Sequence, residues 1–138
     1  MGSIEVIGLP KVVILGAPSV GKTSLIASLT HSKCRGDDTK DKVQPAAGVD
    51  FHIQRLPGLD VTLQIWEISG DKQYHGCVPS CVHDCLVAVI AYDVTDYSTF
   101  ERAHEYIDLV RQQRSPEHCR ILLFGNKKDH DQHNERGG

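Results

Sequence analysis

Three stretches of the chain are apolar at nearly every position: Lys11–Gly16, Cys85–Tyr92 and Arg120–Gly125. Strands that are apolar on both faces are typical of parallel sheets covered by helices on both sides. Because the segments between them include helical patterns, right-handed crossover connections are expected. The pattern therefore predicts an α/β fold, a three-layer α/β/α sandwich with a mostly parallel sheet.

Apolar and polar residues alternate over 49–54 and again over 61–66, and the turn Pro57–Asp60 lies between them. Alternation with a period of two residues indicates half-buried strands, and the short turn joins them as a β-hairpin. We therefore expect one antiparallel hairpin strand at an edge of the sheet.

Two helices are predicted between the strands. The first follows residue 22 and runs to about His31. The second has a possible capping box at Ser98–Glu101 and ends before Ser115–Pro116. Its apolar residues fall at helical spacing, as Phe100, Ala103, Ile107 and Val110.

Two polar segments, Ser32–Ala47 and Glu67–Val82, have little periodicity and are predicted to be irregular. Long loops in compact domains are usually functional, so these are candidate binding segments. Residues 130–138 are polar and aperiodic, and they are predicted to form an unfolded tail after a domain that spans 1–129.

Composition narrows the class of protein. The chain has 138 residues, 40% of them hydrophobic, and a net charge of -3, which argues against general nucleic-acid binding. No transmembrane run, signal peptide or lipidation motif is found, so we expect a cytoplasmic monomer. The five cysteines are an odd number, and free thiols are expected.

The segment Gly16–Thr23 has the form G-x-x-x-x-G-K-T between an apolar strand and a helix, as a phosphate loop requires. Such a loop points backbone N–H groups at phosphate, and the helix N-terminus adds positive charge. Lys22 can reach the outer phosphates, and the Thr23 hydroxyl can bind Mg²⁺. A glycine turn that carries Lys-Thr by chance is the disfavoured alternative. The predicted phosphate-binding residues are Gly16, Ser19, Val20, Gly21, Lys22, Thr23 and Ser24.

The segment Asn126–Asp129, Asn-Lys-Lys-Asp, follows the third apolar strand. Together with the phosphate loop it resembles the Ras superfamily of small GTPases, whose base-recognition motif is N-K-x-D. The resemblance implies GTP/GDP and Mg²⁺ as ligands. It also implies that Asp129 accepts hydrogen bonds from guanine, that Asn126 bonds the base edge, and that the Lys127 stem packs on the base.

Other segments resemble Rab proteins: Gly48–Phe51, Leu63–Trp66 followed by Gly70, and Tyr92–Thr95. The run Leu56–Trp66 most resembles the divergent Rab branch linked with cilia and endosomal sorting. This resemblance implies a switch in vesicle or ciliary protein transport, peripheral to endosomal or ciliary membranes through its partners. Gly70 would contact phosphate, and effector and exchange proteins would bind residues 35–56 and 66–82.

Three positions depart from the family pattern. Ala46 stands where the family has a threonine that binds Mg²⁺, and Glu67 where it has an aspartate, so Glu67 would act on the metal indirectly. Asp71 replaces the glutamine that positions water, which makes it a doubtful catalytic residue beside Lys22. Pro18 removes one N–H from the phosphate loop. These departures predict weak GTP hydrolysis, or a pseudo-GTPase binding module that does not cycle.

The family continues past N-K-x-D with a further strand and helices, which this sequence lacks. The chain is then a fragment, a truncated gene product or a protein completed by a partner, and the sequence leaves the three open. Without those elements, the third apolar strand is expected to form an exposed edge. An ATP-dependent P-loop kinase is disfavoured because Asp129 favours guanine.

Two further clusters have more than one interpretation. Cys77, Cys81 and Cys85 recur at intervals of four residues, with His75 and His83 nearby, and could bind zinc or simply pack in the protein. The second cluster is the pair of aromatic residues Phe51 and Trp66. They could contact a partner or pack within the sheet, and the sequence favours the two interpretations equally.

Overall fold

A computed structural model describes residues 9–30 and 43–126. In chain order, the elements are β1 (Lys11–Gly16), α1 (Lys22–Thr30), β2 (Val43–Ala46), β3 (Val49–Leu56), β4 (Val61–Ile68), a 3₁₀ helix (Lys72–Cys77), α2 (Val78–Val82), β5 (Val87–Asp93), α3 (Tyr97–Gln113) and β6 (Arg120–Asn126).

The strands form one sheet in the order β2-β3-β4-β1-β5-β6. Strand β1 is parallel to both β4 and β5, and β5 is parallel to β6. Strand β3 is antiparallel to β2 and β4, so the predicted hairpin is β3–β4. The predicted α/β class with a mostly parallel sheet is confirmed.

The predicted edge position of the hairpin is wrong, because β2 lies outside β3. Residues 43–46 were expected to belong to the irregular segment Ser32–Ala47. Strand β2 has only four residues and includes Pro45, so it carries no alternating pattern that sequence analysis could detect. An edge strand tolerates proline because its outward-facing N–H groups need no partner in the sheet. The preceding residues, 31–42, lie outside the described ranges.

The residues of β1 point alternately to two hydrophobic layers. Val13 and Leu15 pack with residues of β5, α2 and α3, whereas Ile14 packs with Leu25 and Ile26 of α1. Val13, Ile14 and Leu15 are all fully buried. A strand buried on both faces needs apolar side chains at successive positions, which explains the continuous apolar run of β1.

Strand β6 is the other edge of the sheet within the described residues. Leu122 and Leu123 remain 54% and 45% exposed there. Successive side chains of a strand point to opposite faces, so both faces of β6 are incompletely covered. The exposed edge expected from the sequence is present in this part of the chain.

The segment Glu67–Val82 was predicted to be irregular, and this is wrong for most of its length. After β4 ends, a 3₁₀ helix begins at Lys72 and leads into α2. Pro79, a residue type that interrupts helices at interior positions, lies in the first turn of α2. A proline is tolerated there because the N–H that it lacks would have no intrahelical partner.

Helix α3 is capped by Asp96, not by the predicted capping box at Ser98–Glu101. The Asp96 Oδ1 atom accepts hydrogen bonds from the Ser98 backbone N at 3.0 Å and from the Ser98 hydroxyl at 2.7 Å. The helix ends at Gln113, before Ser115–Pro116 as predicted. With 17 residues it is the longest helix in the described ranges, and none there has the length and apolar character needed to cross a membrane.

We predict that Leu15→Ala lowers the free energy of unfolding by about 2–5 kcal/mol, because it leaves a cavity in a fully buried layer. Leu59→Ala is the matched control, since Leu59 is 67% exposed and should change stability by less than about 0.5 kcal/mol. Urea denaturation followed by circular dichroism measures both. Equal losses for the two variants would contradict the assignment of β1 to the core.

Candidate nucleotide-binding site

The phosphate loop, residues 16–23, joins the carboxyl end of β1 to the N-terminus of α1. Close contacts require glycine at two of its positions. At Gly16, a Cβ would lie 2.6 Å from the carbonyl oxygen of Ala91 in β5. At Gly21, φ is +98° and a Cβ would overlap the side-chain amide of Asn126. The loop therefore lies directly against the ends of β5 and β6.

Lys22 is buried, and its ammonium group faces back over the loop. Its Nζ donates to the carbonyl oxygens of Gly16 and Ala17, both at 2.9 Å. Burial lowers the pKa of Lys22 from its ordinary value, the Glu67 carboxylate opposes that shift, and the charge of Arg102 adds to it. The amine is thus fixed at the phosphate loop, where an anionic ligand would gain most from its charge.

Thr23 and Glu67 come together although they are far apart in sequence. Ile14 of β1 pairs in register with Glu67 of β4, which brings the end of β4 beside the start of α1. The Thr23 hydroxyl donates to Glu67 Oε2 at 3.1 Å. Mg²⁺ prefers oxygen ligands, often a carboxylate combined with phosphate and water. A hydroxyl and a carboxylate converging beside the phosphate loop fit such an ion.

The second oxygen of Glu67 faces His52. Its Oε1 lies 4.0 Å from His52 Nε2, which is buried and has no hydrogen-bond partner in the described structure. The distance is too long for a hydrogen bond. Glu67 therefore has its shorter polar contact with Thr23.

The Asp71 side chain caps the N-terminus of the 3₁₀ helix that follows it. Its Oδ1 accepts from the Gln73 backbone N at 3.1 Å, and its Oδ2 accepts from the Gln73 side-chain amide at 3.2 Å. The backbone N–H of Gln73 lowers the pKa of this exposed carboxyl, and the Gln73 side chain adds to the shift. A role for Asp71 in positioning water stays a prediction, and both carboxylate oxygens are already used in the cap.

Gly70 is buried against the phosphate loop. A Cβ at this position would overlap the Gly16 carbonyl oxygen and would also meet backbone atoms of Ala17 and Pro18. On the other side, the Gly70 carbonyl accepts a hydrogen bond from Arg102 Nη2 at 2.9 Å. Sequence reasoning did not find Arg102, because one arginine in an amphipathic helix carries no signal of a contact with a distant glycine.

Asn126 is the member of the predicted base-binding motif that the structure describes. Its Nδ2 donates to the Val20 carbonyl at 3.0 Å, and its own carbonyl accepts from Val94 N at 3.1 Å. It therefore ties β6 to the phosphate loop and to the turn after β5. Lys127 and Asp129 lie outside the described residues, as does the predicted tail 130–138.

The cysteine cluster has different partners from those that its spacing suggested. Cys85 Sγ lies 3.4 Å from Cys119 Sγ, and Cys77 Sγ donates to the Tyr74 carbonyl at 3.0 Å. Burial raises the pKa of Cys81 to about 11 and that of Cys85 to about 12. Among the residues that the structure describes, no three His, Cys, Asp or Glu side chains are grouped to hold a metal ion, and the zinc alternative gains no support there.

The rings of Phe51 and Trp66 meet edge to face, with centroids 5.3 Å apart. Trp66 also donates its indole N–H to Gln64 Oε1 at 2.9 Å, and the Lys11 ammonium lies 4.2 Å from its ring centroid. Both aromatic side chains are half-buried. The pair is packed within the sheet and also has surface left to contact a partner.

A mostly parallel sheet with a glycine-bounded G-x-x-x-x-G-K-T loop between β1 and α1 defines the phosphate-loop class of α/β proteins. A family model described as "Ras family" matches residues 11–136. The chain belongs to the Ras family of small GTP-binding proteins, whose members bind guanine nucleotide, usually with Mg²⁺.

We predict that Gly70→Ala loosens the phosphate loop, because the added methyl group would overlap backbone that cannot move without distorting residues 16–18. Overpacking of this kind typically costs about 1–3 kcal/mol. Amide hydrogen exchange should become faster in residues 16–21 and 69–75. Gly76→Ala is the control, since no atom lies within 4 Å of a Cβ there. Unchanged exchange in Gly70→Ala would contradict the contact.

Proposed function

We propose that this chain is a Rab-like guanine-nucleotide switch in vesicle or ciliary protein transport, with weak GTP hydrolysis. One observation carries the nucleotide part of the proposal. The buried Lys22, the Thr23 hydroxyl and the carboxylate of Glu67 from β4 lie together at the phosphate loop. The transport role comes from the resemblance of residues 48–51, 63–66 and 92–95 to Rab proteins.

The phosphate groups would bind at the loop between β1 and α1. Backbone N–H groups of residues 19–24 and the positive end of α1 favour an anion there. Lys22 supplies a full positive charge that is shielded from water. Its present bonds, to carbonyl oxygens of the loop, leave the ammonium next to the position that terminal phosphate oxygens would take.

Thr23 and Glu67 would hold Mg²⁺ beside the phosphates. The Thr23 hydroxyl is placed to bind the ion directly, and the Glu67 carboxylate is placed to act through a water molecule. When bound, the ion neutralises phosphate charge and orients the nucleotide. The extra methylene of Glu67, compared with aspartate, still allows a contact with Thr23 in this fold.

Guanine would be recognised by Asn126, Lys127 and Asp129. The position of Asn126 supports this assignment, because its side chain lies over Gly21 and bonds Val20. The last described residue of β6 therefore lies next to the phosphate loop. A carboxylate at Asp129 would accept from the guanine N–H groups and disfavour adenine.

The proposal of weak hydrolysis depends on the residue that would have to position the attacking water, Asp71. In this class of proteins, hydrolysis without an activating partner is slow, on the order of 10⁻⁴ s⁻¹, even when a glutamine orients the water. Here both oxygens of Asp71 bond Gln73. The same observation favours a second candidate, a pseudo-GTPase that binds nucleotide and partners without cycling.

Partners would be effector and exchange proteins that bind residues 35–56 and 66–82. The half-buried pair of Phe51 and Trp66 lies within these ranges and offers an aromatic surface. Aromatic residues are enriched at protein interfaces because they bury large area with little loss of side-chain entropy. Attachment to endosomal or ciliary membranes would then depend on such partners.

We predict that the purified chain binds fluorescent GDP and GTP with Mg²⁺ and prefers both to adenine nucleotides. Lys22→Ala should weaken binding by at least about 100-fold, because it removes a charge-assisted contact with phosphate. Lys72→Ala, at an exposed position of the 3₁₀ helix, is the charge-matched control and should bind as the wild type does. No saturable binding, or equal affinity for adenine nucleotides, would refute the proposal.

We predict that Asp71→Gln raises single-turnover GTP hydrolysis by at least about tenfold, because an amide can both donate to and accept from an attacking water. Asp71→Asn is the matched control, since it removes the charge without lengthening the side chain. Phosphate release measures turnover. If Asp71→Gln leaves the rate unchanged, Asp71 is not what limits hydrolysis. If the wild type already turns over GTP rapidly, both the weak-hydrolysis proposal and the pseudo-GTPase alternative fail.

A further inference from the structure

Arg102 is a second cation close to the phosphate loop, and nothing described so far gives it a role in binding. It lies in α3, and only 15% of its side chain is exposed. Its Nη2 donates to the Gly70 carbonyl at 2.9 Å and to the Tyr106 hydroxyl at 3.0 Å. A side chain with this much burial and two hydrogen bonds is held in one conformation, so it can in turn hold the groups that it bonds.

The partner of Arg102, Gly70, lies in the segment that leads from β4 to the 3₁₀ helix. Gly70 lies between the guanidinium group on one side and the backbone of the phosphate loop on the other. Because an added Cβ would overlap the Gly16 carbonyl oxygen, no gap separates the two backbones. The hydrogen bond from Arg102 therefore fixes the Gly70 carbonyl in the position at which Gly70 packs against the phosphate loop.

Two further contacts hold the same segment without any ligand. The Ser69 backbone N donates to the Gly48 carbonyl at 2.7 Å. The ring of Tyr74 covers Gly48, where a Cβ would lie 2.5 Å from Tyr74 Cγ. Residues 69–74 are thus held to the β2–β3 turn at Gly48 and to α3 at Arg102, as well as to the phosphate loop.

In small GTPases, contacts of the terminal phosphate and Mg²⁺ order this segment, and hydrolysis releases it. In this chain, protein groups already make the contacts that hold it. A ligand that needs an ordered segment binds more weakly when only a fraction of molecules have the segment in place. A residue that raises that fraction strengthens binding of the triphosphate, and it has little effect on a diphosphate that does not reach the segment.

We propose that Arg102 is a positioning residue that holds Gly70 on the phosphate loop before nucleotide binds, and that it thereby favours GTP over GDP. The preference for GTP rests on the proposed nucleotide-binding function, whereas the holding of Gly70 does not. The charge of Arg102 works in the same direction, because a second cation near Lys22 favours the more negatively charged ligand.

The first test uses the full chain without nucleotide. Amide hydrogen exchange of residues 69–77 is compared between the wild type, Arg102→Gln and Arg102→Lys. We expect exchange in this segment to be at least about tenfold faster in Arg102→Gln, because a charge-assisted hydrogen bond is lost. Arg102→Lys keeps the charge but has a single donor nitrogen in place of the guanidinium group, so its exchange rate should be intermediate. Glu105→Gln, one turn along the same helix and 3.8 Å from Arg102 Nε, should exchange as the wild type does.

The second test measures affinities for fluorescent GDP and for a fluorescent, non-hydrolysable GTP analogue. Arg102→Gln should lower the ratio of GTP to GDP affinity by about tenfold, and Arg102→Lys should restore part of it. A residue with only a structural role would weaken both nucleotides equally. Tyr106→Phe removes the other acceptor of Arg102 and should leave the ratio near the wild-type value, since the bond to Gly70 remains.

The two tests separate failure of this proposal from failure of the proposed function. If the wild type binds neither nucleotide, the function fails, and the exchange experiment still decides whether Arg102 holds Gly70. Wild-type residues 69–77 that become protected only when the GTP analogue is added would overturn the proposal. It would also be overturned if Arg102→Gln and Arg102→Lys both left exchange unchanged, or if they weakened GDP and GTP to the same extent.

Discussion

The phosphate loop depends on contacts so close that three glycine positions have no room for a Cβ atom. Gly16 lies against the carbonyl of Ala91, Gly21 against the amide of Asn126, and Gly70 against the loop itself. Each of these glycines is required by the space around it, and Gly21 also by its positive φ. The shape of the loop therefore depends on the ends of β1, β4, β5 and β6 lying side by side in the sheet.

That requirement explains why a loop near the start of the chain depends on residues much farther along it. Asn126, at the end of β6, bonds the Val20 carbonyl, so the last described strand closes the first loop. Gly70 is in turn held by α3 through Arg102. The loop is thus formed by the whole sheet, and a local change in β6 or α3 is expected to reach it.

Sequence patterns predicted the parts of the fold that depend on local properties. The apolar runs of β1, β5 and β6, the β3–β4 hairpin and the phosphate loop could all be identified because each has a pattern contained within a few neighbouring residues. Strand β2 could not be predicted, because it is too short to show an alternating pattern and contains Pro45. The helices after β4 begin with Asp71 as a cap and include Pro79 in a first turn, features that also occur in loops. The contacts of Arg102 with Gly70, and of Cys85 with Cys119, join distant residues and leave no local pattern.

The single tryptophan of the sequence is placed where it can report on this coupling. Trp66 lies in β4, where it pairs with Val13 of β1 on one side and with Phe51 of β3 on the other. Its ring meets Phe51 of β3 and lies 4.2 Å from the ammonium group of Lys11 in β1. A shift between these strands would change the polarity around one indole, and so the chain carries its own optical label.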